Sequence, residues 1–466
     1  MIIIGDTMYS GGPNGMRPSV GLSANLKKHG LEILRFKTGT PSRVDRRSLH
    51  MDKMELEEGD PENHAFSFMS ERKDRNKRNC WLTYTNEKTH EIIRENIMRA
   101  PKYAGKIHGI GARYCPSIED KVVRFADKDR HQLFVEPEGL DTTEMYVQGM
   151  STSMPIDVQY AFLRTIPGFE DVKMMRPAYA IEYDLLDPLQ LYPTLEVIKL
   201  PGLYSAGQSN GTSGYEEAAA QGLVAGINAA LKIQGKDPFI LARHEAYIGS
   251  LVDDLVTKGA DEPYRMMTSR SEYRLILRQD NADLRSQPKK DIVSVWWEKN
   301  GMPVSWSGKR NMKKLWTIFV HSVLPRKKRS IRALESMGTA PLTTGTGADQ
   351  ILKRPEMTYR KMMEMLGCPA FDEEAVEEME ITVKYEGYIA RQEAAVRKAA
   401  RMENEKLPPD MDYLSLDGIS TEARQKMDKI RPLSLGQAAR IPGVSPADIS
   451  VLMVYVKQRK GKKGAE

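Results

Sequence analysis

The first half of the chain alternates short apolar runs with polar turns. Residues 1–4 are a strand-like apolar run, and residues 132–135 and 144–147 have the composition of half-buried strands. A helix is predicted over residues 89–98, and a glycine- and proline-rich loop over residues 11–18. The region that follows this loop is therefore predicted to be an α+β domain.

Helical patterns dominate the second half. An apolar stripe predicts a helix over residues 241–257, and a long polar helical segment covers residues 373–404. Ser445 and Pro446 mark a further helix start, as N-cap and first helical residue. The chain is therefore predicted to end in a helical domain with a basic tail.

Between these regions, residues 202–230 combine a short apolar run, a glycine-rich turn and a helix of small residues. The apolar run, residues 203–206, is predicted to form a buried strand. Ser213 and Glu216 have capping-box spacing, so the helix should begin beside the turn with free N–H groups facing it. The turn contains the glycines Gly207, Gly211 and Gly214. One smooth helix face is formed by Ala218, Gly222, Gly226 and Ala230.

Two interpretations of this strand, turn and helix are open. Such a unit is typical of half a flavin site, because glycines let the backbone approach a ligand closely. It is also typical of a glycine- and alanine-rich helix packed in any α/β core. Composition alone does not choose between them.

Composition excludes several classes of protein. The three cysteines are scattered without a C-x-x-C pair and the eight histidines are dispersed, so no disulfide framework and no metal site is predicted. No apolar stretch approaches the roughly 18 residues of a membrane span, so we expect a cytoplasmic protein without membrane contact. The net charge of +6 comes from residues 286–332, which carry twelve Lys/Arg, two Asp/Glu and four of the five tryptophans.

Longer runs now identify a family. They are residues 37–41, 85–93, 111–125, 146–153, 202–230 and 261–283. Together they closely resemble the MnmG or GidA family of tRNA uridine 5-carboxymethylaminomethyl modification enzymes. The resemblance implies an enzyme that modifies C5 of the wobble uridine of tRNA with FAD, NADH and methylenetetrahydrofolate. It also implies a homodimer that works with the GTPase MnmE.

The implied fold class is α/β plus α, with a partial Rossmann-like FAD-binding domain, an inserted α+β domain and a C-terminal helical domain. The expected boundaries are 1–35 for the residual FAD-binding part, 36–195 for the inserted domain with the nicotinamide motif, 196–285 for the FAD-domain return and connecting helix, 286–340 for the Trp-rich basic segment, and 341–466 for the helical tRNA- and partner-binding domain.

Cys115 is the candidate catalytic residue. Uracil C5 is a poor nucleophile until a group adds at C6, and a thiolate suits that addition. Arg113 and a helix predicted to begin at Ser117, with Asp120 at its third position, would lower the pKa of the Cys115 thiol. A buried, inert cysteine is the structural alternative, and Cys80 and Cys368 are predicted to be of that kind.

The resemblance assigns cofactor contacts to two further groups. Ser19 and Gln208 correspond to FAD contacts, although Ser19 would also serve as the N-cap of a helix over residues 20–26. Arg113, Lys121 and Arg124 could meet phosphates or form a solvated helix face. The run assigned to NAD consists of Gly111, Ala112, Arg113, Tyr114, Cys115, Pro116, Ser117, Ile118, Glu119, Asp120, Lys121, Val122, Val123, Arg124 and Phe125.

Aromatic and basic residues intermix in the C-terminal helical region, which the resemblance assigns to tRNA and partner binding. Such mixing suits base stacking and phosphate contact, but a solvated helix face is the simpler alternative for any one residue. The residues concerned are Tyr385, Tyr388, Arg391, Arg397, Lys398 and Arg401.

The chain also departs from the family pattern. It contains no G-x-G-x-x-G turn and lacks the family's other catalytic cysteine, so we expect a chain truncated at its N-terminal end. Whether such a chain binds FAD and is active alone stays open at this point. The composition of residues 286–332 suggests a reading-frame excursion as a hypothesis. Two alternatives are a non-catalytic tRNA- or GTPase-binding remnant and the folate-dependent tRNA 5-methyluridine methyltransferase, a shorter family without the helical extension at 357–456.

Overall fold

A computed structural model describes residues 1–59, 76–112, 116–278, 323–324, 332, 334–366 and 373–463. The chain divides into two compact units. Unit 1 comprises Met1–Leu191, Glu196–Gly222 and Gly259–Arg265. Unit 2 comprises Tyr192–Leu195, Leu223–Lys258 and Met266–Glu466.

Unit 1 is built on two sheets. Its strands are β1 (Ile2–Ile4), β2 (Thr7–Tyr9), β3 (Ile33–Thr40), β4 (Arg43–Asp45), β5 (Glu55–Glu57), β6 (Cys80–Tyr84), β7 (Ile110–Gly111), β8 (Gln132–Pro137), β9 (Glu144–Gln148), β10 (Met174–Arg176) and β11 (Tyr179–Leu186). Its helices are α1 (Leu22–Lys28), α2 (Glu87–Glu95), α3 (Ile118–Arg124) and α4 (Ile156–Leu163). The strand predicted over residues 1–4 is confirmed as β1.

The first sheet has the order β2-β1-β11-β3-β7. Strand β3 pairs antiparallel with β11 along its whole length and parallel with the short strand β7. The parallel register places Lys37 beside Gly111. Two runs that are distant in the sequence, 37–41 and 111–125, are thereby joined at one sheet edge.

The second sheet is antiparallel, with the order β10-β4-β9-β8-β6-β5. Leu133, Val135, Met145 and Val147 are fully buried at alternate positions, which confirms the predicted strands at 132–135 and 144–147. Helices α2, α3 and α4 pack against this face in one hydrophobic core. The helix predicted over 89–98 is present as α2, which Asn86 caps, followed by a 3-10 turn at Ile97–Arg99.

The Gln159 side chain, which is fully buried, joins the two sheets. Its Oε1 accepts hydrogen bonds from Ser42 Oγ (3.0 Å) and Ala178 N (2.8 Å). Its Nε2 donates to the carbonyl oxygens of Ala178 (3.0 Å) and Met154 (2.8 Å). Ser42 lies in the connection from β3 to β4, and Ala178 in the connection from β10 to β11, so one amide holds both connections.

Two histidine rings lie against each other beside the second sheet, with His90 buried and His131 half-buried. The rings of His90 and His131 lie 5.1 Å apart, centre to centre, and the Thr85 hydroxyl contacts His90 Nε2 (2.8 Å) and the His131 N–H (2.7 Å). Burial is the main cause that lowers the pKa of both rings. Nearby charges act in both directions. Arg94 further lowers the pKa of His90, whereas Asp129 and Glu87 raise it. Lys121 further lowers the pKa of His131.

Acid is therefore expected to loosen this core. The unfolded chain takes up protons below about pH 6.5, whereas the folded histidines do so only at lower pH, so stability present above that pH is lost as pH falls. Hydrogen–deuterium exchange of β6 and β8, corrected for intrinsic rates, should speed up between about pH 7 and about pH 5. His131→Asn should weaken this dependence, and His50→Asn, at an exposed ring, should not. Equal protection at both pH values would contradict the prediction.

Unit 2 is mainly helical. Its helices after α5 (Tyr215–Ile233), which crosses the division between the units, are α6 (Tyr247–Lys258), α7 (Ala348–Leu352), α8 (Tyr359–Leu366), α9 (Glu373–Asn404), α10 (Thr421–Ile430), α11 (Leu435–Arg440) and α12 (Pro446–Lys463). A small ladder joins β12 (Val323–Leu324) to β13 (Thr346–Gly347). Within the described residues, no helix is long and apolar enough to cross a membrane.

Two helix predictions in unit 2 are confirmed and one is corrected. The predicted helix at 373–404 is α9, and Ser445 caps α12 in a reciprocal pair with Asp448. The helix predicted over 241–257 begins only at Tyr247, because residues 242–245 form a turn in which Ala242 N donates to Glu245 Oε2 (2.6 Å). Moreover, α6 is buried on nearly every side rather than along one stripe.

A buried ion network holds α6. Arg243, 7% exposed, pairs with Asp253 (3.1 Å), Asp254 (2.7 Å) and Glu272 (2.8 Å). Arg440 from α11 pairs with Asp253 through both carboxylate oxygens (2.7 Å each). Positive charges from segments that are distant in the sequence therefore allow the adjacent residues Asp253 and Asp254 to be buried.

Candidate active-site cleft

A cleft of about 460 Å³ opens in unit 1 where β3, β7 and the start of α3 meet. Helix α3 is anchored there by Ile118 N, which donates to the Ser151 carbonyl (2.8 Å). The lining residues are Lys37, Thr38, Gly39, Lys102, Ile107, Gly109, Ile110, Gly111, Ala112, Pro116, Ser117, Asp120, Arg124, Ser151, Thr152 and Glu262. The cleft thus gathers six residues of the predicted nicotinamide run beside the 37–41 run.

Glu182 of β11 positions one wall of the cleft. Its Oε1 accepts hydrogen bonds from the backbone N–H groups of His108 (2.8 Å) and Gly109 (2.6 Å). A Cβ at Gly109 would lie 2.8 Å from the carbonyl carbon of Phe36, so only glycine allows this approach. The wall is therefore clamped to β3 by a carboxylate and a close backbone contact.

The helix start predicted at Ser117, with Asp120 at the third helical position, is confirmed. Ser117 occupies the N-cap position, but its hydroxyl does not cap the helix. Asp120 instead accepts hydrogen bonds from Lys102 Nζ (2.6 and 2.7 Å) and the Tyr103 hydroxyl (3.1 Å). An ammonium ion is the stronger partner for a carboxylate, and this pairing draws Asp120 away from the helix end.

These contacts shift two pKa values. Burial opposes ionisation of Asp120, but the hydrogen bond and charge of Lys102 outweigh it and lower the pKa of Asp120. Burial, followed by the charge of Asp120, raises the pKa of Tyr103 to about 12. Lys102 and Asp120 are therefore a charged pair, and the Tyr103 phenol keeps its proton.

Glu119 lies behind the cleft and is fully buried. Burial is the main cause that raises its pKa, and its backbone hydrogen bond, the charge of Lys37 and the Thr152 hydroxyl offset this only in part. Neither carboxylate oxygen has a hydrogen bond of regular geometry to another described residue. Burial thus makes Glu119 a weaker acid than an exposed glutamate.

The glycine-rich turn differs from its prediction in two ways. Residues 203–206 do not form a strand, since Tyr204 makes only an isolated bridge to Glu196. The turn is a 3-10 segment, Gly207–Asn210, followed by Gly211; Gly207 (φ 71°) and Gly211 (φ 80°) both have left-handed backbone. Helix α5 begins at Tyr215, one residue later than a cap at Ser213 requires, so the predicted Ser213–Glu216 box does not set the helix start.

Buried polar groups hold this turn. Gln221 Oε1 accepts hydrogen bonds from Gly207 N (2.9 Å) and Asn210 Nδ2 (3.0 Å). Asn210 Oδ1, Thr212 Oγ1 and Gln221 Nε2 are buried and have no hydrogen-bond partner among the described residues. The small face of α5 does not pack on a sheet within the described structure, because Gly222, Gly226 and Ala230 are exposed.

The remaining predicted site residues lie elsewhere. Gln208 is exposed on the turn, and Ser19 is exposed before α1; neither lines the cleft. Ser19 is not a helix cap, because α1 begins at Leu22 with Gly21 at its N-cap position. The residues that fall outside the described part of the chain are Arg113, Tyr114, Cys115 and Cys368, the Lys398 side chain and most of the Trp-rich segment.

Lys37 and Glu182 were not predicted as site residues. Glu182 occupies a position of β11 that alternates with buried Ala180, and a carboxylate on a core-facing position is a usable signal. Lys37 follows the buried Phe36 in strand β3. A charged residue next to a buried one in a strand is a weaker indication of a site residue.

This chain closely resembles known proteins and spans about three quarters of their length. The tRNA uridine 5-carboxymethylaminomethyl modification enzyme MnmG of Caldicellulosiruptor saccharolyticus is 52% identical over 472 residues, covering 99% of this chain and 74% of that protein. The chain belongs to the MnmG/GidA family. The MnmG of Clostridium kluyveri is 53% identical over 466 residues, with coverage of 99% and 74%.

Family models and solved structures agree with this assignment. The model described as glucose inhibited division protein A matches residues 1–237, and two models of MnmG/GidA C-terminal helical regions match residues 309–393 and 395–466. The structure of Aquifex aeolicus GidA in its form I crystal has 45% identity and a TM-score of 0.85, covering 98% of this chain and 74% of that one. The form II crystal gives 43% identity and the same TM-score, with coverage of 98% and 72%.

These matches confirm the predicted membership of the MnmG/GidA family, which consists of tRNA-modifying enzymes, and the predicted α/β plus α fold class. The match to both helical C-terminal models also favours this family over the methyltransferase alternative, which lacks such an extension.

Proposed function

We propose that the chain modifies C5 of the wobble uridine of tRNA, adding a carboxymethylaminomethyl group with FAD, NADH and methylenetetrahydrofolate. Its proposed partners are the GTPase MnmE and, in a homodimer, a second copy, in the cytoplasm. One observation carries the proposal: the cleft gathers residues of the 111–125 run beside Lys37, in a chain 52% identical to an MnmG enzyme.

The glycine-rich turn fits a flavin. Gln208 is exposed on a turn whose backbone is held by Gln221, and the N-terminus of the 19-residue helix α5 follows it. Free N–H groups at such a helix end favour electron-rich or anionic ligand atoms. Gln208 and Ser19 are the residues proposed to hold the FAD, which when bound would supply the redox chemistry.

Cys115 is proposed to add to C6 of the uracil or to donate a proton during the modification. Its neighbours Pro116 and Ser117 line the cleft, which supports a place for this thiol near the reacting base. The cleft wall held by Glu182 would exclude water on one side, and the Lys102–Asp120 pair would fix the start of α3.

Helix α9 is proposed to contact tRNA. Tyr385 and Tyr388 are 44% and 56% exposed, with ring centres 6.3 Å apart, and the Arg391 guanidinium lies 5.5 Å from the Tyr388 ring centre. Exposed aromatic rings beside cations suit stacking with unpaired bases and contact with phosphates.

The test is a reconstitution. The purified chain is supplied with FAD, NADH, methylenetetrahydrofolate, MnmE with GTP and unmodified tRNA, and the tRNA nucleosides are then analysed by mass spectrometry. The proposal predicts flavin absorbance at one equivalent and modified uridine that depends on each component. A protein that binds tRNA but takes up no flavin and yields no modified nucleoside would instead identify a non-catalytic binding protein.

A further inference from the structure

Strand β7 forms one wall of the cleft, but apolar packing does not hold it there. It has two residues, Ile110–Gly111, and lies at the edge of the described sheet with β3 as its neighbour. Ile110 is 53% exposed, and Gly111 is exposed as well. A two-residue edge strand with an exposed side chain gains little free energy from burial. Other contacts must therefore fix its position.

The Glu182 carboxylate supplies such a contact. Its Oε1 accepts hydrogen bonds from two consecutive backbone N–H groups, those of His108 (2.8 Å) and Gly109 (2.6 Å), immediately before β7. A carboxylate forms stronger hydrogen bonds with N–H groups than a neutral acceptor does. One side chain thus ties the residues that lead into β7 to the sheet.

Glu182 is itself rigidly placed. It is 8% exposed and lies in β11, which pairs with β3 along its whole length and with β1 on its other side. Its backbone N–H donates to the Met1 carbonyl (3.2 Å). The carboxylate therefore extends from a central strand of the first sheet, and the edge strand is positioned relative to that centre.

Gly109 allows the wall to reach this position. A Cβ there would lie 2.8 Å from both the carbonyl carbon and the carbonyl oxygen of Phe36, and 3.0 Å from Lys37 N. These are backbone atoms of β3, which cannot turn aside as a flexible side chain can. The acceptor on Glu182 and the missing side chain of Gly109 are two independent features that bring the same residues against β3.

The chain that leaves β7 leads to the candidate catalytic residue. Cys115 follows Gly111 by four residues in the sequence, and α3 begins three residues after Cys115, at Ile118. The start of α3 is anchored to the Ser151 carbonyl. The described ends of this segment are thus held by Glu182 on one side and by Ser151 on the other. A displacement of a reacting group by about 1 Å can cost roughly a hundredfold in rate.

We propose that Glu182 is a positioning residue for the modification reaction: it holds β7 through His108 and Gly109, and so fixes the start of the segment that leads to Cys115. The role in the reaction rests on the proposed function, whereas the clamp on β7 rests on the geometry. Because Glu182 acts through the backbone, its loss should slow the chemical step and leave the affinity for tRNA unchanged.

Three substitutions of Glu182 separate reach from charge. Glu182→Gln keeps the length and an acceptor oxygen, Glu182→Asp keeps the charge but is one methylene shorter, and Glu182→Ala removes both. Hydrogen–deuterium exchange of residues 106–111 should speed up by about tenfold or more in the aspartate and alanine variants. Their single-turnover rate of tRNA modification at saturating tRNA should fall by about ten- to hundredfold. The glutamine variant should keep the protection and most of the rate.

Asp187→Ala is the matched control. Asp187 is 5% exposed and directly follows β11, and its Oδ1 accepts a hydrogen bond from Leu189 N (3.1 Å). The substitution removes a buried carboxylate that accepts a backbone N–H, roughly 16 Å along the chain from Glu182. It should change neither the exchange of residues 106–111 nor the rate. Circular dichroism verifies folding, and Glu182→Asp serves if Glu182→Ala does not fold.

The outcomes separate the clamp from the function. Wild-type exchange in the aspartate and alanine variants would overturn the clamp, and faster exchange with a wild-type rate would overturn the role in the reaction. An active aspartate variant beside a slow glutamine variant would show that charge, and not position, is what matters. If the flavin-loaded wild-type chain yields no modified nucleoside, the proposed function fails and the role in the reaction with it, while the exchange of residues 106–111 still decides the clamp.

Discussion

Replacing Arg243 by methionine is expected to destabilise unit 2 by about 3 kcal/mol or more. The guanidinium is 7% exposed and contacts two buried aspartates and Glu272. In the variant, Asp253 would keep its ion pair with Arg440, and Asp254 would keep its ion pair with Lys258 (2.6 Å). The expected loss of unfolding free energy is therefore at the lower end of the range for a broken buried ion pair. Denaturant unfolding followed by circular dichroism, with hydrogen exchange of α6, measures the effect.

An exposed ion pair provides the control. Arg35 and Asp184 form a similar contact at 2.8 Å, but the arginine side chain is 53% exposed, so Arg35→Met should cost less than about 1 kcal/mol. Adding Asp254→Asn to Arg243→Met should recover part of the loss, because it removes a buried charge. Equal effects of the Arg243 and Arg35 substitutions would show that burial does not govern the network.

Replacing Cys115 by serine is expected to lower the rate of tRNA modification by roughly 10²–10⁴-fold, the range for loss of a positioned proton-transfer group. Serine preserves the size of the side chain, but its hydroxyl does not ionise near neutral pH as a thiol can. The assay is single-turnover formation of the modified nucleoside by flavin-loaded enzyme, with flavin content and tRNA affinity measured in parallel.

Cys80 is the matched control for this substitution. Burial, and then the charges of Glu136 and Glu57, raise the pKa of the Cys80 thiol, which disfavours the reactive thiolate. Cys80→Ser should leave the modification rate unchanged. If Cys115→Ser also modified tRNA at the wild-type rate, Cys115 would have no role in the chemistry.

Local signals predicted the helices and strands whose ends depend on nearby residues. The capping pair of Ser445 and Asp448 lies within one turn, and the alternation in β8 and β9 follows from burial of one face. The start of α6 was missed because its apolar stripe continues into a turn. Burial of Asp253 depends on Arg440, 187 residues later, and no local pattern carries such a pairing.

The residues of the cleft show the same contrast between local signals, which the sequence carries, and long-range pairings, which it does not. The 111–125 run indicated one wall through family resemblance, but Lys37 reaches that wall only through the parallel pairing of β3 with β7. Glu182 acts on His108 across 74 residues of sequence. Asp120 lies at the third helical position as predicted, but its pairing with Lys102, from an irregular segment, has no local signal in the sequence.

Gln159 limits how unit 1 can move. Two of the connections between its sheets, β3 to β4 and β10 to β11, contain only two residues each, and the same buried amide bonds to both. Rotation of one sheet against the other would break several hydrogen bonds at once in a site that water does not reach. Domain-closure motion between the sheets is therefore disfavoured, and the two sheets are expected to move as one rigid body.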